Sequence, residues 1–367
     1  MNYLRRCYTQ AEKANKLFSA SELYKEDIET IASSNIDWDK LKNKSIMITG
    51  ATGLIGTFLI DVLMYRNAKY GDCITVYAVS RNKEKATNRF NGYFDSRYFV
   101  FIQIDIQNAF DLNTPVDYII HGASNTHPIA YSTEPVNTIL LSVQGTKAVL
   151  DTASAHNVKR TLFLSTVEIY GENRGDAETF KEEYCGYIDC NTLRAGYPEG
   201  KRAAEALCQA YIKEKNVDVV IARCCRVYGP TMGEDDSKAI AQFIRNAAKG
   251  ENIVLKSKGE QQFSYCYVAD VCSALLFLLL NGKNGEAYNV SDTNCNVTLL
   301  QIANILSEYA AKEITFDMPS SVESAGYSKA TKALLNSSKL MVLGWDARYP
   351  IKDGIIRTVK ILQDMYK

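Results

Sequence analysis

From residue 45 to about 223, short β-branched runs alternate with longer amphipathic stretches, a texture that predicts a parallel sheet with helices on both faces. The predicted strands cover 45–49, 74–79, 100–104, 118–121, 161–165 and 217–223. Helical periodicity falls between them, near 54–66, 83–90, 137–155 and 197–215. Beyond Arg223 the order loosens. Gly, Pro and Asp gather at 229–236, followed by a helix near 238–249, a strand at 253–255, an apolar helix near 270–280, a strand at 288–290, a helix over 299–311 and a strand at 314–316. Ahead of Ser45, the residues Leu17, Phe18, Leu23, Tyr24, Ile28 and Ile31 recur three and four apart and predict a helical extension over 1–44, expected to cover a sheet edge. The expected fold class is α/β, a Rossmann doubly wound parallel sheet over 45–225 to which 266–282 return. A smaller, interleaved substrate-binding lobe is expected from 226–265 and 283–367.

Length agrees with that division, since 367 residues exceed the roughly 250–300 at which one core usually splits. The 42 basic and 42 acidic side chains cancel, which argues against a nucleic-acid partner. Ten cysteines are scattered with no CxxC pair, Cys224 and Cys225 being adjacent, so free thiols in a reducing compartment are expected and no metal site. The start, MNYLRRCYTQAEKANK, is polar, and the longest apolar run, 274–280, is far too short to span a bilayer. A cytoplasmic protein without a membrane partner is the expectation.

The first predicted strand runs directly into Gly50-Ala-Thr-Gly53-Leu-Ile-Gly56 and then into an apolar helix. In that setting the first glycine permits a tight turn, the second lets the backbone approach a pyrophosphate, and the third lets helix pack on strand. The second strand ends in Ala78-Val79-Ser80-Arg81-Asn82 with no acid to read a ribose 2′-hydroxyl; Arg81 could take a 2′-phosphate or be a surface arginine, so NAD and NADP both stay open. Asp105 closes a strand where it can accept from an adenine amine or serve as a turn residue.

Tyr197-Pro-Glu-Gly-Lys201 places a phenol and an ammonium on one helix face, where the cation is expected to lower the phenol pKa. Among 23 tyrosines two more Tyr-x-x-x-Lys pairs occur, Tyr65 with Lys69 and Tyr211 with Lys215, both read as helix surface. The context of Tyr197 sets it apart. Upstream, a strand ends in Leu164-Ser-Thr-Val-Glu-Ile-Tyr-Gly171 and brings a hydroxyl and a carboxylate to the sheet edge where open α/β sheets bind ligands.

Thr49–Gly56, Asp105, His121-Gly-Ala-Ser124, Ser165–Gly171, Tyr197-xxx-Lys201, Arg223-xx-Arg226-Val-Tyr-Gly-Pro230 and Tyr267-Val-Ala-Asp270 occur in an order that resembles the extended short-chain dehydrogenase/reductases, the NAD-dependent epimerase/dehydratase family of nucleotide-sugar enzymes. Within it the chain is most similar to UDP-glucuronate decarboxylases, through Ser-Thr-x-Glu-x-Tyr-Gly, Arg194, Glu199–Arg202 and Gly229–Met232. The resemblance spans about residues 45 to 365. It implies NAD as cofactor, with Gly50, Gly53, Leu54, Ile55, Gly56, Asp105, Ile106, Ala123, Ser165, Tyr197 and Lys201 around it. It further implies that Tyr197 is the base, that Thr166 bonds the reacting hydroxyl, that Lys201 holds the nicotinamide ribose, and that Glu168 acts on the sugar ring. A homodimer through the helices at 137–155 and 197–215 is implied as well.

Departures from the family gather where substrate should lie. Arg226 stands in place of an asparagine, Thr231, Lys238 and Phe263 in place of arginines, and Ser142 in place of an asparagine; Val167 replaces the aspartate of the dehydratases. Arg194, Arg226 and Lys238 are therefore the expected substrate-binding cations. Decarboxylation or epimerisation around a recycled hydride is the leading expectation. An NADPH-dependent reductase of a nucleotide-linked sugar or polyol, and a non-catalytic dinucleotide-binding sensor, are the alternatives.

Overall fold

The computed structural model describes residues 20–108, 114–126, 128–317 and 330–367. In chain order the first half comprises α1 (Glu22–Ala32), β1 (Ser45–Thr49), α2 (Leu54–Tyr70), β2 (Thr75–Ser80), α3 (Lys83–Phe90), β3 (Phe99–Gln103), β4 (Tyr118–His121), α4 (Pro128–Thr133), α5 (Pro135–Ala155) and β5 (Arg160–Thr166). The second half holds α6 (Gly196–Lys215), β6 (Val219–Cys224), β7 (Arg226–Tyr228), α7 (Ala239–Lys249), β8 (Ile253–Leu255), β9 (Gln262–Tyr267), α8 (Val268–Asn281) and β10 (Ala287–Val290). It closes with β11 (Asn296–Thr298), α9 (Leu299–Ala310), β12 (Ile314–Phe316), β13 (Lys332–Ala333), α10 (Ser338–Leu343) and α11 (Ile351–Tyr366).

Seven strands form one sheet in the order β10-β6-β5-β4-β1-β2-β3, and every pairing in it is parallel. The order reverses between β1 and β4, so a crevice opens at the carboxyl ends of those strands, the place where this architecture takes ligands. Helix α2 is apolar almost all round and buried from Gly56 to Ala68, because it lies between the sheet and further helices. It stops at Gly71, whose φ of 68° is left-handed and suits glycine. A smaller sheet, β11-β9-β13 with β7 beside β9, carries the second half of the crevice, and β12 pairs with β8 alongside it.

Two sequence expectations change. The sequence places the strand at 288–290 in the smaller lobe, yet β10 pairs in parallel with β6 and forms the edge of the large sheet. A four-residue strand carries no sign in its own sequence of which sheet it joins. The stretch before Ser45 was expected as an extension over a sheet edge. Residues 1–19, with Leu17 and Phe18, lie outside the described residues, but α1 packs on α2, α8 and α11, and Tyr24, Ile28 and Ile31 are wholly buried in the main core. Polar clamps fix it there: Tyr24 donates to Asp61 at 2.5 Å, and Asp27 accepts from Tyr267 at 2.5 Å and from Arg357 Nε at 2.8 Å.

Candidate active site

The turn after β1 leaves no room for a side chain at Gly50 or Gly56. Gly50 has φ of 72°, and a Cβ there would meet the backbone of Gly122 and Ala123 at 2.9 Å; a Cβ on Gly56 would lie 2.5 Å from the Gly50 carbonyl. Gly53 precedes α2 without any side-chain cap, so the first amides of that helix, including Leu54 and Ile55, face the turn with no partner inside the helix. Thr52 and Ser80 hydroxyls meet at 3.0 Å and tie this turn to the end of β2.

Neighbouring strand ends complete the crevice. Thr49 Oγ1 sits 2.7 Å from His121 Nδ1 and accepts from the Ala123 amide at 3.2 Å, locking β1 to β4. Burial, helped by the charge of Lys201, pushes His121 down to about 3, so its ring is neutral. Ile106 is buried where α5 presents Gly145, whose Cβ would come within 2.8 Å of it. Asp105 accepts from the Gln107 amide at 3.2 Å and so does close a turn. Arg81 is exposed just past β2, and its carbonyl accepts from Gln103 at 3.2 Å. Ser165, at the end of β5, is buried with its hydroxyl unpartnered.

Beyond Ser165 the chain turns into a short 3-10 helix, with Thr166 Oγ1 accepting from the Glu168 amide at 3.3 Å. Tyr197, in the first turn of α6, is buried, with the Thr166 side chain near enough to favour its phenolate. Burial first, and the Glu168 charge second, raise its phenol above the ordinary value of 10, while Thr166 and Arg194 pull the other way. Lys201 does not act on Tyr197 as the sequence predicted. Its ammonium is turned to the Leu164 carbonyl at 2.8 Å and lies 4.8 Å from the centre of the Phe163 ring. Burial lowers Lys201 to about 8.

Glu168 is not a solvated carboxylate: it accepts from Nη2 of Arg194. Arg194 in turn lies over the ring of Tyr131, 4.8 Å from its centre, and Tyr131 stacks on Tyr197 with ring centres 4.8 Å apart. Val167, Glu168, Arg194, Arg226, Ala330 and Ala333 line a common cleft. Arg226 places its guanidinium 3.6 Å above the centre of the Phe263 ring. Lys238 bonds Asp236 at 3.0 Å and is not among the residues lining this cleft. Thr231 is fully buried and donates to the Leu54 carbonyl at 2.7 Å, pinning the loop after β7 to the dinucleotide turn. The other two tyrosine–lysine pairs lie elsewhere: Lys69 donates to Tyr65, itself buried, at 3.0 Å, and Tyr211 donates to Asp151 at 2.5 Å.

Tyr131 and Phe263 are the contributions that sequence reasoning missed as site-builders. Tyr131 lies in a six-residue helix far along the chain from its stacking partner, and only the count of aromatics before Pro135 could have drawn attention to it.

The sequence profile of the NAD dependent epimerase/dehydratase family matches residues 46–291. The chain belongs to that family. Family membership makes it an NAD-dependent enzyme of the nucleotide-sugar epimerase, dehydratase and decarboxylase class. UDP-glucuronic acid decarboxylase 6 of Arabidopsis thaliana is 30% identical over 313 residues, 85% of this chain and 87% of that one. UDP-glucuronic acid decarboxylase 1 of Xenopus tropicalis is 30% identical over 318 residues, 86% and 71% of the two chains. Among solved folds, the UDP-glucuronic acid 4-epimerase of Bacillus cereus, in complex with UDP-glucuronic acid and NAD, superposes with a TM-score of 0.73 at 21% identity, covering 88% of this chain and 100% of its own. The UDP-glucose 4-epimerase of Thermotoga maritima with UDP-glucose gives 0.74 at 22%, with the same coverages.

The residues of this family member fit NAD. The glycine turn leads into α2, whose first amides have no side-chain cap, and the buried Ser165 hydroxyl at the end of β5 has no partner among the described residues. Of the two cofactors the sequence left open, NAD is the one the family carries.

Proposed function

We propose that the protein binds a UDP-linked uronic acid, oxidises its C4 hydroxyl, and returns the hydride after the sugar has lost CO2. The observation that supports this reading is the side-chain group at the end of β5: Thr166 close to Tyr197, Tyr131 stacked on Tyr197, and Arg194 over Tyr131 and paired with Glu168. NAD, when bound, supplies the acceptor and later the donor of the hydride. Tyr197 would take the C4 hydroxyl proton as the C4–H hydride departs, once the positive charge of oxidised NAD offsets the burial that raises its phenol, and Thr166 would bond the same oxygen. Lys201, with a pKa of about 8, is mostly protonated at neutral pH and holds the nicotinamide ribose. The glycine turn with Leu54 and Ile55 holds the pyrophosphate, and Asp105, Ile106, Ala123 and Ser165 border the rest of the cofactor.

Oxidation at C4 turns the C5 carboxylate into that of a β-keto acid. The C5–CO2 bond then breaks, its electron pair forms an enolate with the C4 ketone, and C5 takes a proton before the hydride returns to C4. Val167 supports this over water elimination, because a buried valine offers no acid for a leaving hydroxyl. Arg226, stacked on Phe263, restores on β7 the cation that relatives carry at position 263 and is assigned to the diphosphate.

A homodimer is part of the same proposal. Helices α5 and α6 pack side by side, and their outer face exposes Val136, Ile139 and Leu140 beside Ala203, Ala206 and Ala210. A cytoplasmic site of action fits the nine described cysteines, all free.

The test is to incubate the NAD-loaded enzyme with UDP-glucuronate and weigh the product. A product lighter by one CO2, with no net change in NADH, is expected. An isomer of unchanged mass would assign epimerisation instead, and stoichiometric NADPH consumption would assign net reduction.

A further inference from the structure

The ion pair of Glu168 and Arg194 leaves most of a guanidinium unused. Nη2 of Arg194 donates to Glu168, whereas its Nε and Nη1 are buried and have no acceptor among the described residues. Buried N–H groups without partners are costly, so a site that keeps them has an acceptor to offer them. Glu168 anchors the guanidinium at one nitrogen and Tyr131 supports its face, 4.8 Å from the ring centre. The idle donors are therefore held in a fixed orientation, next to the phenol that Tyr131 stacks on. Arg226, which lines the same cleft, also has an idle buried Nε, but its guanidinium rests on Phe263 of the smaller sheet and not on Tyr131.

We propose that Arg194 is a specificity-determining residue that bridges Glu168 and the carboxylate of the substrate sugar, and so selects a uronic acid over a neutral sugar. A planar guanidinium held by one carboxylate can offer its remaining donors to a second one. A neutral hydroxymethyl group in the same place leaves those donors unpaired. Without Arg194 between them, Glu168 would repel the incoming carboxylate. This inference rests on the nucleotide-sugar reading above and adds to it which sugars are admitted.

The chemistry that suits these donors, a forked oxyanion, is present both in a sugar carboxylate and in a diphosphate, and binding measurements separate the two. The full-length enzyme, loaded with NADH so that no hydride can be accepted, is titrated calorimetrically with UDP, UDP-glucose and UDP-glucuronate. The wild type is expected to bind UDP-glucuronate about 10- to 100-fold more tightly than UDP-glucose. Arg194→Gln should erase that preference and leave the affinity for UDP unchanged. Arg194→Lys keeps a cation beside Glu168 and lacks the fork, so it should lose the preference too, and it serves if the glutamine variant does not fold. An equal loss for all three ligands would assign Arg194 to the diphosphate and overturn the proposal, as would a preference that survives both substitutions or is absent from the wild type. Failure of the wild type to bind any of the three would overturn the nucleotide-sugar reading and this inference with it.

Discussion

Lys201 is a cation kept in the core, and its position says as much about function as about stability. Burial moves it from 10.5 to about 8, which corresponds to roughly 3 kcal/mol of disfavour for the charged form. A lysine whose folded pKa lies below its unfolded value burdens the fold fully below pH 8, and the burden is relieved as pH rises from about 8 toward 10.5. Lys201→Met should therefore be inactive yet more stable at pH 7 by about 1–2 kcal/mol, once the Leu164 carbonyl's lost donor is subtracted. Denaturant titrations should show that advantage shrinking between pH 8 and 10.5, and a variant less stable at pH 7 would contradict the assignment. At this scale a spacing and a strand end were enough to single out Thr166, Glu168, Tyr197 and Lys201, which the fold gathers at the end of β5. The sequence did not show which partners the lysine side chains take. Lys238 turns to Asp236, two residues away, and Lys201 turns to a strand carbonyl rather than to Tyr197.

At the level of elements, the dinucleotide turn is the least forgiving part of the chain. Gly56→Ala would push a methyl to within 2.5 Å of the Gly50 carbonyl and 2.9 Å of the Ala51 backbone, none of which can swing aside. The expected outcome is a loss of about 1–3 kcal/mol in denaturant stability together with at least about tenfold weaker NAD binding by fluorescence titration. Unchanged NAD affinity would mean that the cofactor does not rest on this turn. The long elements of the large sheet were legible because β-branched runs and 3.6-residue periodicity are local properties. The smaller sheet was not. Strands β7, β11 and β13 have three residues or fewer, and β9 is buried on both faces over most of its length, which removes the alternation that marks a strand. The periodicity of α1 was visible, but its partners were not, because Tyr267 and Arg357 reach it from more than two hundred residues away.

For the whole molecule, a formal charge of zero conceals a cleft lined by Arg194 and Arg226, since neutrality describes the entire surface and not one crevice. The exposed apolar face of α5 belongs to this scale as well. Val136 is 69% exposed, a costly position for a monomer. Sedimentation should give a dimer for the wild type and a monomer for a Val136→Glu, Ile139→Glu double variant; a monomeric wild type would leave that face unexplained. No helix among the described residues is long and apolar enough to cross a membrane. The central claim, that one hydride leaves C4 and comes back, is tested most directly with UDP-glucuronate deuterated at C4 and a catalytic amount of NAD. Mass spectrometry and NMR should find the deuterium back at C4 of the product, with no labelled NADH accumulating. Deuterium lost to free cofactor, or a product carrying hydrogen at C4 drawn from added NADPH, would contradict it.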